Sequence, residues 1–402
     1  MVVLMALSGC GPQRLSQQDF SNQLAAPDKR LQPDFKIYFS GDSTFLLMNV
    51  KTTDFLYKKV EEYEAQFELH HQLRAAYDAD AILDSATYPF AIIQDSARTQ
   101  FRIMIPVANA PNGKGIISAT LRDLNLNQET MRWLAVNTTA SNLQQAFLLE
   151  DTLNTPLVRN YVRPGEWFRL HSDLFGDTSL LVRCYFRNYP HPAPPFSKVP
   201  DPVFSFRPDS LFSCHTEQVL QLHRPGIYHF QTDTSRKSGF TLFVYDPWFP
   251  EVKSPQQMLE PLRYLTMRNE YAELVKDPDA KAAADRFWLK VGGKSDRSKG
   301  LIRIYYQRVQ EANRQFSSYV PGWKTDRGMI YCVFGPPVSV YRSAVTEQWT
   351  YAGATGGSFS FDFKQTGNPF TDNDYSLIRR EEFDFYWYQA VEKWRQGNIR
   401  VR

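Results

Sequence analysis

The residues most able to do chemistry in this sequence stand together in one short stretch around position 325. They are a tryptophan, a hydroxyl, a carboxylate and a guanidinium between two glycines: Gly322, Trp323, Thr325, Asp326, Arg327 and Gly328. Such a set could form a polar site beside an exposed aromatic ring. It also suits a tight turn, because Thr and Asp oxygens accept hydrogen bonds from nearby backbone N–H groups and glycine adds backbone freedom. The residues leave both interpretations open, and the local turn is the commoner use of such residues.

Two acidic groups near the C-terminus could be imagined as the paired carboxylates of a glycosidase. They are Glu381 and Glu382 with Asp384, and Asp372 with Asp374. Neighbours in sequence do not establish the opposed geometry which that mechanism needs. Solvated charge is therefore the favoured interpretation.

The Thr325 stretch contains no histidine and no known catalytic motif. All seven histidines precede position 230, which argues against a histidine-dependent active site there. His215, His223 and His229 could meet on neighbouring strands and bind a metal, although strand histidines are usually satisfied singly. The sequence has no G-x-S-x-G, no H-E-x-x-H and no phosphate-binding glycine loop. We therefore expect no catalytic residue, no metal and no cofactor.

The elements that would position the Thr325 stretch follow from periodicity. Six uncharged residues, Met329 to Phe334, predict a strand covered on both faces. Glycine and two prolines, Gly335, Pro336 and Pro337, would end it. Upstream, a helix is predicted to carry an apolar stripe towards that strand. The stripe is Ile302, Tyr305, Val309, Ala312 and Phe316.

Other helices and strands are expected around this centre. Ser254 and Gln257 are typical of a capping box at a helix start, and apolar spacing from Ala280 to Val291 predicts a second helix ended by glycines. Alternation over 348–351 and 359–363 predicts a hairpin. A closing helix would carry Trp387, Val391 and Trp394.

These motifs together resemble the GWxTD domain, which is found mainly in exported proteins of Bacteroidetes. The resemblance rests on the stretch from Gly322 to Gly328, the apolar run and Gly335-Pro336-Pro337 after it, and the flanking Phe287-Trp288 and Glu347-Gln348-Trp349. It covers roughly the last third of the chain, from about Pro255. The family implies export and architecture more than an activity.

Composition narrows the classes of partner. The formal charge is +3 over 402 residues, without a basic stripe, which makes nucleic acid an unexpected partner. Aromatic residues make up 14% of the chain, which suits sheets with large side chains and also stacking on sugars.

The N-terminus resembles a lipoprotein signal. A short apolar run ends in Leu7-Ser8-Gly9-Cys10, so we expect a signal peptide over 1–10 and lipidation at Cys10. The alternative is a buried N-terminal strand. Polar residues over 11–33 then predict a flexible tether. No other apolar segment is long enough to span a bilayer.

Two β-rich blocks are predicted next, over 34–148 and 149–246, each a β-sandwich. In the second, Pro225-Gly226-Ile227-Tyr228 resembles an immunoglobulin-like corner, where a tyrosine bonds back to the backbone. Seven prolines between Tyr189 and Pro208 predict a surface excursion, either a contact surface or a plain solvated loop. Cys184 and Cys214 could pair or remain two buried thiols.

The predicted fold is therefore multidomain and mostly β. Two immunoglobulin-like sandwiches precede a helical segment and an α/β GWxTD-like domain over 247–402. The expected function is that of a non-enzymatic outer-membrane lipoprotein on the periplasmic face, acting as an interaction or scaffold component of a secretion or outer-membrane assembly complex. The residues expected to carry the interaction are those of the motif, from Gly322 to Gly328 and from Gly335 to Pro337. Alternatives are a glycan-binding envelope lipoprotein and an uncharacterised hydrolase.

Overall fold

The computed structural model describes residues 15–24, 31–59, 61–139, 143–199, 205–293, 295–353 and 356–399. Cys10, the expected lipidation site, lies outside the described residues. Within those ranges, no helix combines the length and the apolar character needed to cross a bilayer. The first element is a single helical turn, α1 (Ser21–Leu24).

The first module is a β-sandwich, as predicted. One sheet has the order β1-β2-β6, and the other has β5-β4-β7-β8 with the short β3 added to β4. Alternating side chains from both sheets form one buried core that includes Leu46, Phe67, Ile105 and Ile117. The strands are β1 (Asp34–Ser40), β2 (Ser43–Lys51), β3 (Lys58–Lys59), β4 (Tyr63–Arg74), β5 (Ile82–Ile93), β6 (Gln100–Val107), β7 (Lys114–Asp123) and β8 (Gln128–Asn137).

The second module is also built of two sheets, with the orders β10-β16-β15-β12-β13 and β14-β11-β9. The predicted corner is confirmed, because the Tyr228 hydroxyl donates to the Arg224 carbonyl oxygen at 2.8 Å. The strands are β9 (Leu148–Glu150), β10 (Tyr161–Val162), β11 (Trp167–His171), β12 (Ser179–Tyr185), β13 (Ser210–His215), β14 (Leu220–Gln221), β15 (Gly226–Gln231) and β16 (Phe240–Val244).

The two sulfurs of this module do not form a disulfide. Cys184 and Cys214 are buried free thiols. On the paired strands β12 and β13, Cys214 lies opposite Leu180 and Cys184 lies opposite Ser210. Four residues of strand rise place the two cysteines about 13 Å apart, beyond the reach of a disulfide. Burial raises the pKa of each thiol to about 11.

The C-terminal part is α+β. Its antiparallel sheet has the order β17-β18-β19-β20, and the helices pack around a core of large aromatic side chains that includes Trp288, Trp349 and Trp394. The capping box at Ser254 is present. The elements are α2 (Pro255–Leu259), α3 (Arg268–Lys276), α4 (Ala280–Gly292), α5 (Ser295–Phe316), α6 (Asp326–Phe334), β17 (Ser339–Arg342), β18 (Thr346–Ala352), β19 (Ser358–Gln365), β20 (Tyr375–Leu377) and α7 (Phe383–Arg395).

The predicted strand over 329–334 is wrong, because these residues lie in the helix α6. Each of them except Phe334 is buried, so this run of α6 is covered on all sides and shows no amphipathic period. A fully apolar run of six residues does not distinguish a buried strand from a buried helix. The residues at the two ends do distinguish a helix from a strand, because Thr325 stands at the N-cap and Gly335 follows the last turn.

The flexible tether predicted over 11–33 does not describe residues 15–24, which we call the N-terminal segment. Its backbone lies along the outer edge of β17, where the N–H groups of Ser16 and Phe20 donate to the carbonyl oxygens of Arg342 and Val340 at 2.7 and 2.8 Å. Phe20 is 1% exposed. Pairing satisfies backbone groups that an edge strand would otherwise leave open. The polar composition that suggested a tether gives no sign of this pairing.

Candidate functional site

The turn at Gly322 lies directly against α5. A Cβ atom at position 322 would lie 1.8 Å from the Ala312 carbonyl oxygen, so only glycine fits there. The Gly322 N–H donates to the Ser317 hydroxyl at 2.8 Å, and the Trp323 N–H donates to the side-chain oxygen of Asn313 at 3.3 Å. The turn is thus held by polar groups at the end of α5.

Thr325 caps α6. Its hydroxyl oxygen accepts from the Gly328 N–H at 3.0 Å and its O–H donates to the Gly322 carbonyl at 2.8 Å. Such a cap stabilises a helix by about 1 kcal/mol. A Cβ on Gly328 would meet the Gly322 carbonyl oxygen at 1.8 Å. Turn and helix start therefore form one close-packed unit.

Asp326 joins α6 to the end of β20 and to the segment that follows it. Its carboxylate accepts from the Leu377 backbone N–H at 2.7 Å and from the Arg379 guanidinium at 2.6 Å. The residue is 7% exposed. A carboxylate in the first turn also interacts favourably with the positive end of the helix dipole. The role of this side chain is to hold two elements together.

Arg327 lies in a buried charge network. Its guanidinium is 3.2 Å from the Glu347 carboxylate, donates to the Asn373 carbonyl at 2.8 Å and stands 4.1 Å from the centre of the Tyr375 ring. Glu347 also lies 3.1 Å from the Arg342 guanidinium. Burial by itself would raise the pKa of Glu347, but the two arginines outweigh it and hold that pKa below its ordinary value.

The C-terminal end of α6 is held as firmly. Gly335 has φ 83°, the left-handed region that favours glycine. The Arg308 guanidinium and the Trp394 indole N–H both donate to the Val333 carbonyl, at 3.0 and 2.9 Å. Pro336 and Pro337 then lead into β17. A cation at the negative end of the helix dipole is the favourable arrangement.

A histidine does reach the motif, although none is near it in sequence. The His191 ring lies 5.2 Å from the Trp323 ring, and Trp323 is 6% exposed. Burial, with Arg263 and Lys324 nearby, lowers the pKa of His191 to about 3. Its Nδ1 is buried without a hydrogen-bond partner. All histidines are distant from this region in sequence, but the fold brings one of them into contact with it.

His191 belongs to the proline-rich excursion, of which residues 189–199 lie on the C-terminal domain. We call these residues the strap. Tyr189 packs edge-on against Tyr319 at 4.9 Å between ring centres, and Phe196 packs on Tyr388 of α7 at 5.3 Å. These residues therefore contact the chain itself, which neither interpretation of the excursion anticipated, and residues 200–204 lie outside the described residues.

Several of the remaining candidates have local partners of their own. Glu381 pairs with Lys198, and Glu382 lies 3.6 Å from Arg380 with its side chain 65% exposed, as expected for solvated charge. Asp374 departs from that expectation, because its carboxylate accepts hydrogen bonds from the Thr366 hydroxyl and from the Asn368 amide, and burial raises its pKa. The buried His229 bonds Thr241 and the Lys237 carbonyl, at 2.9 and 3.0 Å. In the part of the chain that the structure describes, no three His, Cys, Asp or Glu side chains are grouped so as to hold a metal ion.

Several contributors to this site were missed from the sequence, among them Arg308, Arg342 and His191. Arg308 and Arg342 lacked a signal beyond an arginine next to apolar neighbours, because their partners are distant backbone and carboxylate groups. His191 carried no signal either, because the strap reaches Trp323 only in the folded chain. The site that results is a set of interlocked contacts around α6.

Comparison with known proteins places the site within a named domain. Residues 226–396 match the family model of the GWxTD domain, from the start of β15 to the residue after α7. No curated protein matches the chain in sequence. Among solved structures, red sea bream transglutaminase aligns at 10% identity with a TM-score of 0.20, over 54% of this chain and 31% of that chain.

Proposed function

We propose that this chain, whose C-terminal part is a GWxTD domain, is a non-enzymatic lipoprotein that serves as an interaction platform in a bacterial outer-membrane assembly, on the periplasmic face. One observation carries the proposal: the hydroxyl of Thr325, the carboxylate of Asp326 and the guanidinium of Arg327 are each engaged in hydrogen bonds that build the domain. These side chains hold the domain together. The function we propose is therefore binding of a partner by the surface of the domain.

The anchor follows from the lipobox-like end at Cys10. Two or more acyl chains on that cysteine would make membrane attachment stable, whereas one chain is marginal. The N-terminal segment begins five residues later and is paired with β17. Five residues span at most about 18 Å. The platform would therefore stand close to the membrane surface, with the GWxTD domain nearer to it than a free tether would place it.

The partner class is the membrane-embedded machinery of secretion or outer-membrane protein assembly. The test is affinity purification of the tagged chain from gently solubilised envelopes after mild cross-linking. We expect one defined set of outer-membrane proteins to copurify, and we expect Cys10→Ser to move the chain into the soluble periplasmic fraction. Recovery of the chain alone under these conditions would sink the proposal.

A second candidate function is glycan binding. It is favoured by two exposed indole rings, one on the second module and one just after it in the chain. Trp167 is 54% exposed and Trp248 is 51% exposed, and flat aromatic faces of this kind stack on sugar rings. A glycan array probed with the chain and with its Trp167→Ala and Trp248→Ala variants tests it. Binding lost in either variant supports this function, and an array without hits removes it.

A further inference from the structure

The strap lies across one face of the GWxTD domain that is rich in aromatic rings and in hydrogen-bond donors. We call this the strap face and define it by Tyr319, Trp323, Arg379, Arg380 and Tyr388. Three aromatic pairs join the strap to it: Tyr189 with Tyr319, His191 with Trp323, and Phe196 with Tyr388. These pairs are spaced along the strap, so the contact is extended.

The strap face also donates hydrogen bonds to the strap backbone. The Arg379 guanidinium donates to the Ala193 carbonyl oxygen, and the Arg380 backbone N–H donates to the Pro195 carbonyl oxygen, each at 3.2 Å. Proline lacks an N–H, so a proline-rich segment offers carbonyl acceptors without matching donors. Donors set between aromatic rings are what such a segment requires.

The strap has the chemistry of a ligand for such a face. Proline fixes its own φ and moves the preceding residue towards extended or polyproline II conformation. Tyr189, His191 and Ala193 each precede a proline. Aromatic surfaces that bind this preformed conformation are a recurring mode of peptide recognition, because little entropy is lost on binding.

The strap is seated shallowly, and other contacts hold the modules together. Pro195 is the strap's buried residue, whereas Pro194, Lys198 and Val199 are exposed. Phe370 of the C-terminal domain packs against Tyr185 and His229 of the second module, at ring distances of 5.0 and 5.4 Å. Departure of the strap would therefore uncover the strap face while leaving the module interface in place.

We propose that the strap face is a recognition site for proline-rich, extended segments of partner proteins, and that the strap occupies it in cis until such a segment displaces it. This deepens the proposed interaction role, on which it rests, by naming the class of partner. The occupant in trans resembles the strap itself: prolines at alternate positions, with an aromatic residue on each side.

The test uses purified full-length chain and a fluorescent synthetic peptide with the sequence of residues 189–199. A tethered strap competes at an effective concentration that reaches the millimolar range, so the strap must first be weakened by Pro192→Gly with Pro194→Gly. We expect this strap variant to bind the peptide at least about 10-fold more tightly than the unchanged chain, because the cis competitor is lost.

Two matched substitutions on α7 locate the binding. Tyr388 is 56% exposed and Phe385 is 59% exposed, so neither should affect folding. Adding Tyr388→Ala to the strap variant should weaken peptide binding about 10-fold, since one of the aromatic contacts is lost, whereas adding Phe385→Ala should leave it unchanged.

The proposal is overturned if the strap variant, with an unchanged melting temperature and circular dichroism, binds the peptide no better than a scrambled one. It is also overturned if Phe385→Ala weakens binding as much as Tyr388→Ala does. Concentration-dependent dimers formed by exchanged straps would make the occupant a second copy and would likewise overturn it. Each of these results leaves copurification with an envelope complex intact, so failure of this inference is distinguishable from failure of the platform role.

Discussion

Arg327 and Glu347 form an ion pair in which each side chain is 4% exposed, at 3.2 Å between Nη1 and Oε1. The pair links the first turn of α6 to β18, and the Trp349 indole N–H donates to the same carboxylate at 3.1 Å. Charges so far from water are retained only when paired and hydrogen-bonded. This pair therefore stabilises the register between motif and sheet.

Removal of one partner of that pair should be severe. Arg327→Met leaves Glu347 with fewer partners in a buried site, and we expect a loss of about 3 to 5 kcal/mol in the free energy of unfolding measured with urea. The control is Lys281→Ala, which breaks a pair with Asp285 whose side chains are 69% and 43% exposed, and should change the free energy of unfolding far less. A similar, small loss in both variants would contradict the role assigned to the buried pair.

Gly328 should tolerate no side chain. A methyl group there would lie 1.8 Å from the Gly322 carbonyl oxygen, so Gly328→Ala must displace backbone and should cost about 3 kcal/mol or more. Gly367→Ala is the matched control, because nothing lies within 4 Å of its Cβ position. Thermal melts of the two variants side by side provide the measurement, and an unchanged melting temperature for Gly328→Ala would show that the turn is not close-packed.

His191 should make stability fall in mild acid. The pKa of His191 is about 3 in the folded chain against 6.5 when unperturbed, so between those values the unfolded chain binds a proton that the folded chain does not. The contribution of His191 to the free energy of unfolding is fully present above pH 6.5 and is lost as the pH falls towards 3. Through this group the free energy of unfolding changes by at most about 1.4 kcal/mol per pH unit. We expect a smaller change, because the ring is only partly buried.

The measurement is urea unfolding of the unchanged chain and of His191→Gln from pH 7.5 to 4.5. The difference between the two in free energy of unfolding should shrink or reverse as the pH falls, because glutamine does not titrate. A difference that is constant across this range would exclude His191 as a titrating group in the strap contact.

The N-terminal segment should contribute to the stability of the C-terminal core. Phe20 packs edge-on against Tyr77 and Trp133 of the first module, at 5.4 and 5.2 Å between ring centres, and forms part of the C-terminal core cluster. Phe20→Ala should cost about 3 to 5 kcal/mol and should open residues 15–24 to proteolysis. Leu153→Ala, at a residue 83% exposed, is the control and should change neither. Resistance to protease equal to that of the unchanged chain would mean that the segment is held mainly by its backbone pairing with β17.

Local patterns in the sequence determined much of the architecture. Strand alternation predicted the sandwiches, apolar spacing predicted α5 and α7, Ser254 and Gln257 predicted the start of α2, and Tyr228 predicted its corner. These signals succeed because a helix or strand with one buried face repeats its apolar residues at the period of the element. The glycines and Thr325 of the motif likewise indicate a turn from the sequence alone.

Only the tertiary structure decided what surrounds that turn. α6 is buried on every side, so its sequence shows no period, and residues 329–334 were mistaken for a strand. The N-terminal segment pairs with β17 and the strap reaches Trp323 across more than a hundred residues. Such contacts are set by the shape and hydrogen-bonding needs of distant surfaces, which neither segment's own composition records.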